Sequence, residues 1–243
     1  MVMPAGTDLA SADTVAFPFL FFVLLLMPVL GVLSWYRLRD HEPRGTKPQR
    51  YRGTILIQLF LLGFSLLVAS HEGINLFPSF SASIYAWSLA ALFLWSVLRK
   101  LQAKWPRLSV ERKRRISWTL PETPLEMKYW MLISVLAGIG EECAYRGVAS
   151  SLLTLMTGSA TIAIVLCIGT FGVAHMSQGW RGAVGAAMLA ALFHLMVAGT
   201  GSLYLAMAIH VAYDFLLGII AVRLFQQDKS AHSQAAQVAE STA

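Results

Sequence analysis

The sequence predicts an all-α membrane protein, a polytopic bundle of about seven transmembrane helices with an active site inside the bundle. Hydrophobic residues make up 56% of the 243 residues and charged residues only 13%, against about a quarter charged in soluble domains. The apolar residues are gathered in seven runs close to membrane-spanning length. Ionisable residues interrupt the last four runs, where a buried charge is costly and usually functional.

Residues 15–127 are predicted to form three transmembrane helices with basic cytoplasmic linkers, after a disordered segment at 1–14. The apolar runs cover 15–36, 54–69 and 82–98. The linkers 37–52 and 99–115 contain fourteen of the nineteen lysine and arginine residues. Because such residues mark the cytoplasmic side, we expect the N-terminus outside and the C-terminus in the cytoplasm. The second linker could be an amphipathic helix on the membrane surface or a solvated loop, and both remain open.

The net charge of +6 indicates a membrane surface as partner instead of nucleic acid. The basic linkers lie directly beside apolar runs, where they can contact anionic lipid head groups. We therefore expect an integral, multi-pass protein without nucleic-acid binding. Short loops and the lack of an organellar signal favour a bacterial inner membrane. Cys143 and Cys167 fall in apolar runs without paired spacing, so neither a disulfide nor a zinc ribbon is expected.

Residues 128–225 are predicted to form a catalytic core of four helices, followed by a polar C-terminal tail at 226–243. The four apolar runs cover 128–155, 159–176, 182–198 and 203–224. The ionisable residues within them are Glu141, Glu142, Arg146, His175, His194, His210 and Asp214. Intramembrane groups of this kind generally face the bundle interior or a wet cavity.

Helical spacing sorts these residues into pairs. Glu142 and Arg146 are four residues apart, so they can form an ion pair on one face. Glu141 lies about 100° around the helix and has no local partner, which suits a general base. An intramembrane ion pair is also a common structural clamp. A lone membrane histidine such as His194 is more often a hydrogen-bonded core residue, and we place it outside the site.

The later helices repeat the four-residue interval. His210 and Asp214 share a face, so the carboxylate could orient the imidazole or bind a metal together with it. Phe171 and His175 share another face, and the aromatic ring could wall the site. One carboxylate and two imidazoles can activate a water molecule and stabilise an oxyanion, with or without a metal.

Three motifs in order resemble the CPBP family, the CAAX protease and bacteriocin-processing (Abi) family of intramembrane endopeptidases. They are Glu141-Glu142-x-x-x-Arg146, Phe171-x-x-x-His175 and His210-x-x-x-Asp214. The turn Gly199-Thr200-Gly201-Ser202-Leu203 is similar to the family's usual lead-in to the last motif. The resemblance covers about 128–225, and the first three helices are not informative for it.

The resemblance implies hydrolysis of a peptide bond near the membrane. Glu141 would activate water, and His175 and His210 would position it and stabilise the oxyanion. Glu142 and Arg146 would be the supporting pair, with Phe171 beside them. Asp214 stands where many members carry Asn, and its extra charge could favour a metal.

The cofactor is either zinc or none. Glu141, His175, His210 and Asp214 are the candidate metal ligands, since histidine and carboxylate groups suit Zn²⁺. No His-Glu-x-x-His spacing is present. The expected partner is a peptide or membrane-protein substrate, either a prenylated CAAX-like peptide or one of the bacteriocin type.

Two other classes of function stay open. A non-proteolytic immunity or scaffold protein could use the same fold, although it would not need an unpaired Glu141. An ion-coupled transporter or receptor could use Glu141 and Asp214 as proton relays, but no repeat relates the two halves of the sequence.

One predicted position fits poorly: His175 falls near the cytoplasmic end of its helix, whereas Glu141 and His210 lie near mid-membrane.

Overall fold

A computed structural model of the chain describes residues 15–79, 87–88, 90, 92–93, 96, 99 and 103–241. The described residues form helices, turns and loops, and they contain no strand. The fold class expected from the sequence, a helical membrane bundle of about seven helices, is confirmed. The predicted disordered segment at 1–14 lies outside the described residues, as does most of the predicted third transmembrane run at 82–98.

The described chain contains seven longer helical elements. They are α1 (Ala16–Asp40), α2 (Lys47–His71), α3 (Val110–Ser117), α4 (124–157), α5 (Ala160–Gln178), α6 (Trp180–Thr200) and α7 (Tyr204–Ser241). Phe22–Leu26 in α1 and Glu142–Ala149 in α4 are π-helical, and α5 ends in a 3₁₀ turn at His175–Gln178.

Side-chain caps fix where several helices begin. Thr46 and Gln49 form a reciprocal capping box at α2. Thr123 accepts a hydrogen bond from the backbone of Glu126 at α4, and Ser159 caps α5 in the same way. Each cap satisfies an N–H group that the helix leaves unpaired.

The first basic linker is shorter than the sequence indicates, and the second contains helical structure. Because α1 runs to Asp40 and α2 begins at Lys47, five of the six basic residues assigned to the first linker lie inside helices. The second linker contains the 3₁₀ turn Trp105–Arg107 and the short helix α3. The predicted polar tail is also largely helical, since α7 continues to Ser241. Residues 226–241 contain neither Gly nor Pro and are rich in Ala and Gln, which permit a long helix.

Five helices are long and apolar enough to cross a membrane: Ala16–Asp40, Lys47–His71, Ala160–Gln178, Trp180–Thr200 and Tyr204–Ala231. Large apolar side chains cover their outer surfaces, among them Phe21, Leu56, Val165 and Met188. Such an apolar exterior is suited to lipid. Helix α4 is not one of these five helices, because it has charged residues near its middle.

Helix α4 lies at the centre of the bundle, between α2 and α7. Gly138 allows α7 to approach closely, since a methyl group there would lie 2.5 Å from Cγ2 of Val211. Gly31 of α1 packs in the same way against the end of α5, where a methyl group would lie 2.5 Å from the carbonyl oxygen of Ala174. These two glycines let the helices bring polar residues together in the interior.

Charged side chains at one end of the bundle join the linkers to the helices. We call this set the linker network, comprising Lys47, Lys113, Glu122, Glu126, Asp228 and Lys229. Lys47 donates to Glu122 at 2.8 Å and to Glu126 at 3.1 Å. Lys113 donates to Asp228 at 2.8 Å, and Lys229 lies 3.3 Å from Glu122.

Candidate active site

The residues predicted for the site meet where α4 changes from α-helix to π-helix. Glu141 is the last residue of the α-helical part, and Glu142 and Arg146 lie in the π-helical segment. π-Helical turns within α-helices occur frequently at functional sites. We use "polar cluster" for Gln58, Glu141, Glu142, Arg146, His210 and Asp214.

Glu142 is the hub of the polar cluster. Its Oε1 lies 3.2 Å from Nη1 of Arg146, and both side chains are completely buried, so the predicted ion pair is present. The same oxygen accepts a hydrogen bond of 2.8 Å from Nδ1 of His210. Glu142 therefore ties α4 to α7 as well as to its own helix.

Arg146 is enclosed by aromatic rings. Its guanidinium carbon lies 4.7 Å from the ring centre of Phe171 and 5.3 Å from that of Phe193. None of the three guanidinium nitrogens of Arg146 has a hydrogen-bond partner among the described residues, so its contact with Glu142 is ionic only. Buried cation–π contacts hold the charge in place, and Phe171 takes the wall position that its spacing predicts.

Glu141 has a partner that the sequence analysis missed. Nε2 of Gln58, on α2, donates a 2.6 Å hydrogen bond to Oε1 of Glu141. Gln58 is buried and lies 83 positions earlier in the chain, so helical spacing could not reveal the contact. The available signal was a lone glutamine in the middle of an apolar run, which a search for ionisable residues passes over.

The other carboxylate oxygen of Glu141 faces the imidazole of His210. Oε2 is buried and has no hydrogen-bond partner among the described residues. It lies 3.9 Å from Nε2 of His210. Because Nδ1 of His210 donates to Glu142, Nε2 is the ring atom that is directed toward Glu141.

Asp214 has a smaller part in orienting His210 than its spacing predicts. Its Oδ2 lies 3.8 Å from Nε2 of His210, whereas Glu142 makes the short hydrogen bond to the other nitrogen. Phe193 stacks on the ring with 5.1 Å between ring centres. Glu142 and Phe193 thus fix the ring, and Asp214 adds a third carboxylate beside it.

His175 opens the 3₁₀ turn at the end of α5. Its Nδ1 donates a 2.8 Å hydrogen bond to the carbonyl oxygen of Phe171, so Nε2 remains available. The half-buried ring lies 4.4 Å from that of Phe171, centre to centre. His175 is close enough to Asp214 to interact with it electrostatically. None of the described hydrogen bonds or ion pairs joins it directly to the polar cluster.

The predicted mismatch in the depth of His175 disappears in the structure. Phe171, four residues before His175 on α5, contacts Tyr145 and Arg146, which follow Glu141 by four and five residues on α4. Only residues 158 and 159 separate the end of α4 from the start of α5. His175 and Glu141 therefore lie at similar depth, because α4 is much longer than α5.

His194, which the sequence analysis places outside the site, lies near it. The side chain is buried on α6, next to Phe193, and interacts electrostatically with Arg146 and Glu142. Its Nε2 has no hydrogen-bond partner among the described residues. The expectation of a hydrogen-bonded core histidine is thus not met at that nitrogen.

The four candidate metal ligands do not form a metal site as they are placed. In the described part of the chain, no three His, Cys, Asp or Glu side chains are grouped so that they could hold an ion. Nε2 of His210 lies 3.9 Å from Glu141 and 3.8 Å from Asp214. Zinc ligands lie about 2 Å from the metal and converge on one point. We derive no step through a metal.

The comparisons with known proteins agree with the motifs. Residues 123–216 match the family model described as type II CAAX prenyl endopeptidase, Rce1-like. This match confirms the resemblance to the CAAX protease family. It contains every predicted site residue, whereas Gln58 lies before it. The chain matches no curated protein and no solved structure.

The match to a peptidase family supports intramembrane proteolysis in general terms. Together with the five apolar helices, it indicates an integral membrane protein. Among the described residues, no hydrogen bond is found to Oε2 of Glu141 or to Nε2 of His175 and His210. Groups of this kind can accept a proton from a water molecule and position the water oxygen against a carbonyl carbon.

Proposed function

We propose that the protein is an intramembrane endopeptidase that hydrolyses a peptide bond of a membrane-associated peptide by water activated at Glu141. The observation that carries the proposal is the setting of Glu141. One oxygen is held by Gln58, and the other is buried, unpartnered and directed toward His210. The family match adds a peptidase family for the same segment.

Glu141 acts as the general base and then as the general acid. Its Oε2 takes a proton from water while the water oxygen attacks the carbonyl carbon of the substrate. The carbon–nitrogen bond of the tetrahedral intermediate then breaks, and Glu141 returns the proton to the leaving amine. Positioned proton transfer of this kind contributes about 10²–10⁴-fold to a rate.

The two histidines place the reacting groups. Each Nδ1 donates to a fixed oxygen, that of Phe171 for His175 and that of Glu142 for His210. Their Nε2 atoms are therefore free to accept a hydrogen bond from water when neutral, or to donate one to the oxyanion when protonated. Glu142, Arg146 and Asp214 support this arrangement.

Gln58 positions the base. An amide N–H donating to Oε1 leaves Oε2 as the free basic atom. Because Gln58 is buried in α2 while Glu141 is buried in α4, the hydrogen bond also fixes how these two helices pack. Gln58 is thus a positioning residue in the proposed reaction.

We propose a prenylated CAAX-like peptide as the first substrate to test, because the matched family is described as a prenyl endopeptidase family. A bacteriocin-type leader peptide is the second. The peptide bond would reach Glu141 from the membrane, which suits a lipid-modified or apolar chain. We further propose that the C-terminus lies in the cytoplasm of a bacterial cell.

The decisive experiment compares the wild type with Glu141→Gln in liposomes. Both proteins are incubated with a farnesylated CAAX peptide, its unprenylated form and a leader peptide, and the products are identified by mass spectrometry. We expect Glu141→Gln to lose cleavage by about 10²–10⁴-fold. Glu111→Gln is the matched control, since Glu111 is exposed on α3 and should leave cleavage unchanged.

Cleavage by Glu141→Gln at the wild-type rate would contradict the proposal. Complete absence of cleavage by the wild type, with substrate-driven proton uptake into the liposomes, would favour a transporter instead. A chelator arm tests the cofactor: cleavage abolished by the chelator and restored by zinc would identify a metal requirement.

A further inference from the structure

A cavity of about 440 Å³ lies outside the polar cluster, between the turn Trp105–Arg107 and α7. Its size is within the usual range for small-molecule sites, about 300–1,000 Å³. Its apolar lining comes from Trp105, Pro106, Ile220 and Leu224, and its polar lining from Arg223, Gln227 and Asp228. The proposed peptidase reaction uses none of these residues.

Trp105 makes one wall of the cavity rigid. The buried indole packs edge-on against Phe225, with 4.9 Å between ring centres. Its Nε1 donates to Oδ2 of Asp228 at 3.2 Å, and Lys113 donates to the same oxygen at 2.8 Å. The cavity is therefore preformed, so a ligand would not have to order the chain on binding.

The charge of the cavity is positive. Among the described lining residues, Asp228 is the only carboxylate, and the ion pair with Lys113 neutralises it. Arg223 is exposed, and no hydrogen bond or ion pair to it is found within the described ranges. Lys104 and Arg107, also exposed, flank the wall formed by Trp105 and Pro106. An anion is the ligand that this balance favours.

The cavity spans the boundary between polar and apolar surface. Asp228 and Lys229 belong to the linker network at the end of the bundle. Arg223 lies about 9 Å nearer the apolar part of α7, and Ile220 about 5 Å beyond Arg223, at 1.5 Å per residue. Trp105 has the amphipathic side chain that is typical of the membrane–water interface. A ligand here would meet a cation and an apolar groove together.

We propose that this cavity binds an anionic phospholipid. The guanidinium of Arg223 binds the phosphate through two parallel hydrogen bonds, a geometry that arginine provides and lysine does not. One acyl chain lies along Ile220, Leu224 and Pro106. The occupied site would tie the second basic linker and α7 to the bilayer, whatever substrate the polar cluster acts on.

The test is a lipid titration of the purified full-length protein in a neutral detergent. Phosphatidylglycerol, phosphatidylcholine and sodium phosphate are added separately, with the thermal midpoint of unfolding and native mass spectrometry as readouts. We expect phosphatidylglycerol to raise the midpoint and remain bound, with little effect from the other two. Arg223→Gln should weaken the apparent affinity for phosphatidylglycerol by roughly ten-fold or more, and Arg223→Lys by less.

Arg181→Gln is the matched control, because Arg181 is also exposed and has a tryptophan nearby, with its guanidinium carbon 5.2 Å from the ring centre of Trp180. It should leave phosphatidylglycerol binding unchanged. Equal binding by wild type and Arg223→Gln would overturn the proposal, as would equal stabilisation by phosphatidylcholine. Stabilisation by sodium phosphate alone, lost in Arg223→Gln, would identify an anion site and refute the lipid.

Discussion

The polar cluster and the linker network are both groups of charged residues, but they balance charge differently. In the linker network, Lys47 contacts two carboxylates and a backbone carbonyl, and Asp228 is bound by both Lys113 and Trp105. In the polar cluster, Glu142 contacts Arg146, and all three carboxylates lie within 3.9 Å of His210. Several of its buried oxygen and nitrogen atoms have no hydrogen-bond partner in the described structure.

The difference indicates what each region does. A partly exposed ion pair costs little to form, because water still solvates both groups. A completely buried charge without full pairing costs several kcal/mol. A fold tolerates that cost when the group has a task, and intramembrane ionisable residues are accordingly functional in most cases. The linker network thus holds the structure together, whereas the polar cluster is suited to chemistry.

The largest predicted effect on stability comes from Arg146→Met. The substitution leaves Glu142 buried without its counter-charge, which typically costs about 3–5 kcal/mol. Lys47→Met should cost less, about 1–2 kcal/mol, because Glu122 and Glu126 can turn toward water. The measurement is the thermal unfolding of each variant in detergent.

The double variant Arg146→Met/Glu142→Gln tests the cause of that loss. If an unpaired buried charge is responsible, removing it should restore part of the lost stability. An equal loss in the single and double variants would attribute the effect to packing against Phe171 and Phe193 instead.

The next prediction concerns Gln58→Leu, which keeps the volume of the side chain but removes the hydrogen bond to Glu141. A hydrogen bond to a charged group is worth about 1.5–3 kcal/mol, so we expect kcat to fall roughly 10–100-fold with little change in KM. Gln58→Asn retains the amide and should recover part of the rate. Steady-state kinetics on a cleaved peptide would measure both.

Ser65→Ala is the matched control for Gln58→Leu. Ser65 is also buried on α2, but its hydroxyl donates to the carbonyl of Leu61 within its own helix. A kcat for Gln58→Leu equal to that of Ser65→Ala would refute the positioning role. It would leave the role of Glu141 untouched.

Local spacing predicted the parts of the site that lie on one helix. The pair Glu142–Arg146 and the shared face of His210 and Asp214 follow from a four-residue interval, and both pairs are in contact. The family resemblance placed the three helices around one site, and the match over residues 123–216 is consistent with that resemblance. Fold class followed from composition and apolar runs alone.

Contacts between helices could not be predicted in this way. The hydrogen bonds from Gln58 to Glu141 and from His210 to Glu142 depend on how α2 and α7 rotate against α4. Glycines such as Gly138 permit that approach, but one sequence does not show which face they open. The same reason explains why Asp214 was predicted to orient His210, since the spacing could not reveal the nearer Glu142.

The smallest predicted effect is the pH dependence of the linker network. Partial burial opposes ionisation of Glu122, but the hydrogen bond and charge of Lys47, with those of Lys229, outweigh burial and lower its pKa. A carboxyl whose pKa is lower in the folded than in the unfolded state stabilises the fold at neutral pH. That contribution is lost as pH falls from the unfolded pKa through the folded one.

Glu122→Gln should therefore lower the unfolding temperature slightly at pH 7 and flatten its decline on acidification. Because Glu122 is partly exposed, we expect less than about 1 kcal/mol. Lys47→Met should flatten the decline more than Lys229→Met, since Lys47 is mostly buried and Lys229 is 66% exposed. An unchanged acid decline in Glu122→Gln would mean that other carboxylates dominate it. The linker network would then stabilise the bundle chiefly through contacts that do not require ionised Glu122, such as the hydrogen bond from Lys47 to the carbonyl of Leu120.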